Sequence, residues 1–214
     1  PEASLFALID GPDAIFMGSA QDHKRAFDND KGPNTGGMGA VSPAPRLTDD
    51  LQKQVMEEVV MPLARGMAAE GSPYRGILYV GLMLTETGPQ VIEFNCRLGD
   101  PEAQVILPRL LSDLVAAMLG TVEGSLSHLS LRWDTKSAVT VVMATQGYPG
   151  SYETGSRISG LDLLAGDRNV ILFHAGTVIE ADGTVRANGG RVLAVTGLGD
   201  SVELARNAAY AAVD

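Results

Sequence analysis

The feature that most constrains the fold is a pair of apolar runs, YRGILYVGLML at residues 74–84 and PQVIEFNC at residues 89–96. The short glycine-containing segment TETG separates them, so the pair predicts an antiparallel β-hairpin. Alternate residues of a strand share one face, and here they separate by polarity. The two sets are Glu93, Asn95 and Arg97 on one side and Ile92, Phe94 and Cys96 on the other. We therefore expect the second strand to have one packed face and one polar face.

The rest of the sequence predicts further strands and amphipathic helices, so the expected fold class is α+β. One helix begins after Thr48, an N-cap candidate, and Pro62 is expected to kink it. The polar stretch at residues 121–137 divides a first region, residues 1–124, from a small β-rich C-terminal domain at residues 125–214. The other predicted elements are a hairpin of strands at 4–9 and 14–19, a helix at 101–120, strands at 138–145, 170–180 and 191–196, and a helix at 201–213.

The charge balance excludes two large classes of partner. Lys and Arg total 16 against 26 Asp and Glu, which gives a formal net charge of −10. This balance does not favour binding to nucleic acid or to an anionic membrane, so neither is an expected partner. The single Cys96 precludes an intrachain disulfide framework and favours a reducing, cytoplasmic location. Because Pro1 stands directly before a strand-like run, we expect the chain to be part of a longer protein.

The polar face around Glu93 has two interpretations. A carboxylate and an amide oxygen two positions apart are hard ligands suited to Mg²⁺, which keeps substrate phosphates and waters in its other positions. Arg97 lies just past this pair and could bind a phosphate or an acyl phosphate. The alternative is an edge strand whose polar face meets solvent, and the spacing alone does not distinguish the two.

The segment that follows Arg97 favours the metal interpretation. Gly99 allows a tight turn, and two acids, Asp100 and Glu102, flank Pro101 where a helix is expected to start. Acids at that position also act simply as helix caps, so this observation has a structural explanation as well.

A second candidate site is the polar segment QDHKRAFDNDKGPNTGGMGAVSPAP at residues 21–45. At about 25 residues it far exceeds the usual connection of about 4 to 6, so it is predicted to be a functional or disordered loop. Within it, PNTGGMG at residues 33–39 would allow backbone N–H groups to converge on an anion. A mobile linker is the competing interpretation, and the spacing of neither standard nucleotide-binding fingerprint is present.

Two segments together, QDHKR…GPNTGGMGA and GILYVGLML…VIEFNCRLGDPEAQ, resemble the phosphoribosylamine–glycine ligase family, also called glycinamide ribonucleotide synthetases. RLGDPEAQVILPRL matches the family's signature segment, and the resemblance continues through GYPGSYETGSRISGL, FHAGT and NGGRVLAVTGLG. It implies the second half of an ATP-grasp domain, an antiparallel sheet with helices, followed by most of a C-terminal domain. It also implies that the N-terminal domain and the first ATP-grasp lobe lie outside this chain.

The resemblance implies a reaction in de novo purine biosynthesis, the ATP-dependent ligation of glycine to 5-phosphoribosylamine through a glycyl phosphate. Glu93 and Asn95 would bind the Mg²⁺ or Mn²⁺ that bridges the ATP phosphates, with Glu2 near the nucleotide. Arg97 would be the catalytic residue that stabilises the transferred phosphoryl group. The substrate contacts that the resemblance implies are Asp22, Lys24, Asn34, Thr35, Gly36, Gly37, Arg97, Asp100, Glu102, His174 and Arg191.

One position departs from a wider ATP-grasp pattern. Many such enzymes carry a further acidic metal ligand on the strand before Glu93, where this chain has Gly81, so the resemblance supports one metal site and leaves a second open. Two other functions remain open. One is a different ATP-grasp carboxylate–amine ligase or carboxylase, which shares Glu-x-Asn-x-Arg but not the two segments together. The other is a folded binding fragment without turnover, because half of the nucleotide site would lie elsewhere.

Overall fold

The structure is a computed structural model that describes residues 1–164 and 166–213. The chain divides into two compact units. The first unit comprises Pro1–Gln21 and Ser42–Thr135, and the second comprises Asp22–Val41 and Lys136–Asp214. The second unit is therefore assembled from two separate stretches of the chain. The domain division expected after residue 124 stays a prediction.

Strands and helices follow one another in groups along the chain. The strands are β1 (Glu2–Asp10), β2 (Ala14–Phe27), β3 (Lys31–Ser42), β4 (Arg75–Thr85), β5 (Gly88–Asn95), β6 (Ser137–Ala144), β7 (Arg157–Ile158), β8 (Val170–His174), β9 (Thr177–Ile179), β10 (Val185–Ala187) and β11 (Arg191–Gly199). The α-helices are α1 (Asp49–Val55), α2 (Met61–Ala69), α3 (Ala103–Ile106), α4 (Leu114–Glu123) and α5 (Val202–Val213). Within the described ranges, no helix is long and apolar enough to cross a membrane.

The first unit is organised around antiparallel strands in the order β5-β4-β1-β2. One face of this sheet packs against the helical segment that contains α1 and α2, where Leu5 and Val80 join Val55 and Val60 in a core closed to solvent. The two predicted hairpins, β1–β2 and β4–β5, are confirmed. Strand β1 lies between β2 and β4, and its apolar residues from Leu5 to Ile9 are buried on both faces.

The first helix begins where the sequence predicts. The side chain of Thr48 accepts a hydrogen bond from the Leu51 N–H at 3.3 Å, so Thr48 is the N-cap. Before Pro62 the helix widens into a π-helical turn, Met56–Val60, and continues as α2. Because proline has no N–H to donate to the preceding turn, this local change of hydrogen bonding at Pro62 has a clear physical cause.

The single helix predicted at 101–120 is wrong. The structure has the short α3, a 3₁₀ turn at Leu107–Arg109, and then a separate α4 that Asp113 caps through the Val115 N–H at 2.8 Å. The break places the Arg109 guanidinium inside the unit, where it donates to Ser42 Oγ at 2.9 Å and to the Asp134 carbonyl at 3.2 Å. Burial lowers the pKa of Arg109 below its ordinary value.

The second unit contains a sheet in the order β2-β3-β6-β11-β8 and a small sheet in the order β7-β10-β9. The strands expected at 138–145, 170–180 and 191–196 are confirmed, although the middle one is divided into β8 and β9. The terminal helix is confirmed as α5. This helix packs so closely against β11 that a methyl group added at Gly197 would lie 2.6 Å from the Ala209 nitrogen.

The long loop predicted at residues 21–45 is wrong. Strand β2 extends to Phe27, a tight turn follows in which Asn29 and Asp30 have positive φ, and β3 runs from Lys31 to Ser42. The glycines and proline that indicated a loop lie within an extended strand. We refer to Pro33–Gly39, written PNTGGMG, as the glycine strand.

Candidate functional site

The polar face of β5 brings two of the predicted metal ligands together. Asn95 Nδ2 donates to Glu93 Oε1 at 3.1 Å, so both side chains lie on the same side of the strand. Glu93 pairs in register with Gly81 of β4. A methyl group at Gly81 would lie 3.0 Å from Glu93 Cγ, so the missing side chain leaves room for the Glu93 stem. The position without a third acidic ligand is thus directly opposite Glu93.

The opposite face of β5 is not packed as predicted. Val91, Ile92 and Phe94 are 40%, 52% and 44% exposed, and Cys96 is also exposed. Strand β5 is the last in its sheet, and its pairing with β4 shifts between Gly81 and Leu82, which leaves Ile92 without a partner in the register. The exposure therefore follows from an irregular edge strand, and Cys96 is not the core residue that the alternation predicted.

The donor set on β5 fits a magnesium-type ion that shares its coordination with a phosphate ligand. Glu93 offers a carboxylate and Asn95 an amide oxygen once its side chain turns, and both are exposed or half-buried. In the part of the chain that the structure describes, no group of three or more His, Cys, Asp or Glu could hold a metal ion.

The turn after β5 holds the other predicted residues of the first unit. Arg97 is exposed and donates from Nη1 to the Leu98 carbonyl at 3.0 Å, in a bend past the end of the strand. Asp100 is exposed and accepts from Gln104 Nε2 at 3.1 Å. Glu102 is only 4% exposed, and its carboxylate lies against Gly99. Arg97 and Asp100 thus lie at the surface, whereas the buried Glu102 packs against the turn.

Glu2 begins β1 and is exposed. It pairs with Met83 of β4, two residues from the register position where Ser4 lies opposite Gly81. Residues two apart on a strand share a face, and so do cross-strand partners, so Glu2 lies on the same face as Glu93. Its proposed place near a nucleotide stays a prediction.

Tyr74 is a residue that the sequence did not indicate. Its hydroxyl donates to the Ile77 carbonyl at 2.6 Å. Burial, together with a hydrogen bond and a charge interaction with Cys96, raises the pKa of Tyr74 to about 12. The folded chain therefore retains this proton at a pH where an unfolded chain releases it.

We expect the unfolding free energy to fall as pH rises through the range between the ordinary tyrosine pKa of about 10 and the folded value. The stabilisation by neutral Tyr74 is fully present below that range and is lost as the phenol ionises at about 12. Urea unfolding of the chain and of a Tyr74→Phe variant across this range tests the expectation. The variant should lose stability less steeply, and equal slopes would contradict the assignment.

In the second unit, the backbone N–H groups of the glycine strand do not converge on an open anion site. The Gly36 N–H donates to the Tyr148 hydroxyl at 3.2 Å, and the Gly37 N–H donates to Thr35 Oγ1 at 3.0 Å. Thr35 Oγ1 in turn donates to the Lys24 carbonyl at 2.7 Å. Since internal acceptors already bind these donors, the expected backbone cradle for a phosphate is wrong for Gly36 and Gly37.

Side chains rather than backbone therefore carry the polar chemistry of this part of the second unit. Asp22 and Lys24 form an ion pair with an oxygen–nitrogen distance of 2.7 Å, and Asn34 is exposed. Arg191 Nη1 donates to the Gly36 carbonyl at 2.9 Å and to the Gly37 carbonyl at 3.3 Å. The structure thus joins Arg191 directly to the glycine strand.

His174 ends β8, on the strand next to Arg191 of β11. It is exposed, and its Nδ1 lies 3.0 Å from Thr177 Oγ1. This contact fixes the ring orientation of a surface histidine.

Family models match both parts of the chain. The model described as Phosphoribosylglycinamide synthetase, ATP-grasp (A) domain, matches residues 1–103. The model described as Phosphoribosylglycinamide synthetase, C domain, matches residues 138–214.

Named relatives are about 50% identical to this chain over the residues that align. A phosphoribosylamine–glycine ligase of Caulobacter vibrioides is 52% identical over 214 residues, which is 100% of this chain and 50% of the relative. That of Escherichia coli (strain K12) is 51% identical over 98% of this chain and 49% of its own length. That of Vigna unguiculata is 51% identical over 100% of this chain and 70% of its own length. The chain thus spans about half the length of most of these curated relatives.

Solved structures agree with the fold. The crystal structure of phosphoribosylamine–glycine ligase from Thermotoga maritima superposes with a TM-score of 0.85 at 36% identity, covering 100% of this chain and 52% of that one. N5-carboxyaminoimidazole ribonucleotide synthetase from Thermus thermophilus gives a TM-score of 0.62 at 15% identity, over 99% of this chain and 49% of that one. The second likeness concerns the fold alone.

The antiparallel sheet with its helices, together with the match of residues 1–103 to an ATP-grasp domain model, defines the chain as part of an ATP-grasp protein. Its likeness to the named relatives extends along its whole length and into both units. The chain belongs to the phosphoribosylamine–glycine ligase family.

Proposed function

We propose that the full-length enzyme, meaning this chain with the remainder of the length that its relatives have, ligates glycine to 5-phosphoribosylamine. The products are glycinamide ribonucleotide, ADP and phosphate, in de novo purine biosynthesis. The observation that carries the proposal is 52% identity along the entire chain to a relative that bears the name of this ligase.

The reaction has two steps. A glycine carboxylate oxygen attacks the γ-phosphorus of ATP, the bond to the bridging oxygen breaks, and ADP leaves with glycyl phosphate formed. The amine of phosphoribosylamine then attacks the acyl carbon, the C–N bond forms, and phosphate leaves while the nitrogen loses a proton. Catalysis of this kind consists mostly of positioning the reactants and neutralising charge.

In the first unit, Glu93 and Asn95 would hold Mg²⁺ or Mn²⁺, and Glu2 would lie near the nucleotide. A bound ion would supply positive charge that offsets the negative charge of the ATP phosphates. Arg97 binds the transferred phosphoryl group, and its exposed guanidinium past the end of β5 supports this role. Asp100 and Glu102 line the turn that follows Arg97, on the side that faces the substrate.

In the second unit, Asp22, Lys24, Asn34 and Thr35 bind glycine along the glycine strand. The ion pair of Asp22 with Lys24 supports a site where an ammonium group and a carboxylate group each find an opposite charge. Arg191 and His174 bind the sugar phosphate, with Arg191 also holding the Gly36 and Gly37 carbonyls. Gly36 and Gly37 contribute to this site because their carbonyl groups bind Arg191 and the lack of a side chain at Gly36 leaves room for the guanidinium.

Further proposals concern partners and location. The N-terminal domain and the first ATP-grasp lobe complete the nucleotide site, and the enzyme works in the cytoplasm. Its acidic balance, with a formal net charge of −10, supports small-molecule substrates rather than nucleic acid or a membrane surface.

The test is ADP release with glycine and with phosphoribosylamine formed in situ from ribose 5-phosphate and ammonia. We expect the full-length enzyme to release ADP only when all substrates are present, and the 214-residue chain alone to show no turnover. An active full-length enzyme that needs another carboxylate instead of glycine would support a different ATP-grasp ligase. If no carboxylate supports turnover, the remaining interpretation is a binding protein without catalytic activity.

A further inference from the structure

The Tyr148 hydroxyl reaches the glycine strand from a distant part of the chain. It accepts a hydrogen bond from the Gly36 N–H at 3.2 Å, across 112 positions of sequence. Strand β3 contributes Gly36, whereas Tyr148 lies in the turn after β6. The contact is therefore tertiary, and it fixes one peptide group of a strand that is rich in glycine.

The turn that carries Tyr148 is itself held by hydrogen bonds. The Thr145 N–H donates to the Gly190 carbonyl at 2.8 Å, and Thr145 Oγ1 donates to the Gly189 carbonyl at 2.6 Å. The Tyr148 N–H donates back to the Thr145 carbonyl at 3.0 Å. The Tyr148 ring lies so close to Gly190 that a methyl group there would overlap it. These contacts fix the position of the Tyr148 ring and therefore of its hydroxyl group.

Arg191 holds the same peptide segment from its carbonyl side. Its Nη1 donates to the Gly36 carbonyl at 2.9 Å and to the Gly37 carbonyl at 3.3 Å. A methyl group at Gly36 would lie 3.1 Å from Arg191 Cζ, so the guanidinium packs directly against the α-carbon. Tyr148 and Arg191 therefore fix the N–H and the C=O of one residue, which we call the Gly36 clamp.

The clamp acts on a segment of β3 that is rich in glycine. Glycine residues lose more conformational freedom on folding than other residues, so Gly36 and Gly37 need external contacts to keep one geometry. Asn34 and Thr35, the proposed glycine contacts, immediately precede the clamped residue. Releasing Gly36 would loosen the two side chains that the substrate needs in a fixed position.

We propose that Tyr148 is a positioning residue that sets the affinity for the substrate bound along the glycine strand, the amino-acid substrate glycine. The inference rests on the proposed function and names a residue that the sequence motifs did not assign. Tyr148 acts through the Gly36 peptide and not through contact with the reacting atoms.

The decisive variant is Tyr148→Phe in the full-length enzyme, because it removes the acceptor and keeps the ring packed on Gly190. Loss of one hydrogen bond predicts a rise in KM for glycine of between about twofold and about tenfold. The kcat and the KM for ATP should change by less than about twofold, because no bonding to the reacting groups is removed. Hydrogen exchange of the Gly36 amide should become faster in the same variant.

Tyr152→Phe is the matched control. Tyr152 lies beside Tyr148 with a ring-centroid distance of 6.2 Å and is 41% exposed, so the same chemical change occurs one neighbour away from the clamp. It should leave the KM for glycine and the Gly36 exchange rate unchanged. Gly190→Ala is a second variant, which displaces the Tyr148 ring and should raise the same KM.

The outcomes separate the two proposals. A wild-type enzyme without glycine-dependent turnover overturns the proposed function. An active wild type whose Tyr148→Phe variant keeps the wild-type KM for glycine overturns the positioning role and leaves the function intact. A fall in kcat together with a similar rise in the KM for ATP would indicate general structural damage and would also overturn the positioning role.

Discussion

A Glu93→Gln variant of the full-length enzyme is expected to lose turnover by about two orders of magnitude or more, and to need more Mg²⁺ for the activity that remains. The change removes a negative charge while keeping nearly the same shape. A carboxylate binds a divalent ion through full charge, whereas a neutral amide offers only a dipole. Because β5 supplies few other oxygen donors, Asn95 alone cannot compensate.

Initial rates measured across a Mg²⁺ titration test this result. Glu86→Gln is a suitable control, because Glu86 lies exposed in the turn between β4 and β5 and loses the same charge in the same hairpin. It should behave as wild type. Near-normal kinetics for the Glu93 variant would remove Glu93 from the metal site, and equal losses in both variants would point to a general charge effect.

A Gly197→Ala variant is expected to destabilise the second unit by about 1 to 3 kcal/mol, toward the upper end of the usual cost of overpacking. The added methyl group would overlap the Ala205 carbonyl and would lie 2.6 Å from the Ala209 nitrogen, and both are backbone atoms of α5. Backbone atoms cannot rotate away as a side chain does. The helix must therefore separate from β11, which exposes Ala205 and Ala209 from their buried positions.

Urea unfolding followed by circular dichroism measures this loss. The control is Gly66→Ala in α2, where an added methyl group meets nothing within 4 Å. There alanine should stabilise the helix by about 0.5 to 1 kcal/mol, because it restricts the unfolded chain. Wild-type stability for Gly197→Ala would show that α5 and β11 are not packed this closely.

Local patterns predicted the elements whose cause is local. Thr48 marks the helix start because its side chain caps the next turn, and the β4–β5 hairpin follows from alternation around a short turn. The helix expected at 101–120 failed because its apolar spacing masked two local signals, Pro108 before the break and Asp113 as the next N-cap. Both signals are readable in the sequence once capping and proline are weighed against periodicity.

The candidate site was predictable where it depends on one strand. Spacing placed Glu93 beside Asn95, and the structure confirms that they lie on one face. The role of the glycine strand was not predictable, since composition indicated a loop, whereas its place between β2 and β6 and its contacts with Tyr148 and Arg191 come from the tertiary fold. In GYPG the sequence showed only turn chemistry, and no local signal pointed from residue 148 to residue 36.

The assembly of the second unit from two separate stretches has a consequence for synthesis of the protein. The ribosome makes β3 long before β6 and β11, and the contacts of Gly36 span 112 and 155 positions. Translation proceeds at about 5 to 20 residues per second, so Tyr148 is synthesised roughly five to twenty seconds after the glycine strand. During that interval one edge of β3 has no partner strand, so this hairpin is where a translation pause or a chaperone would most affect the yield of folded protein.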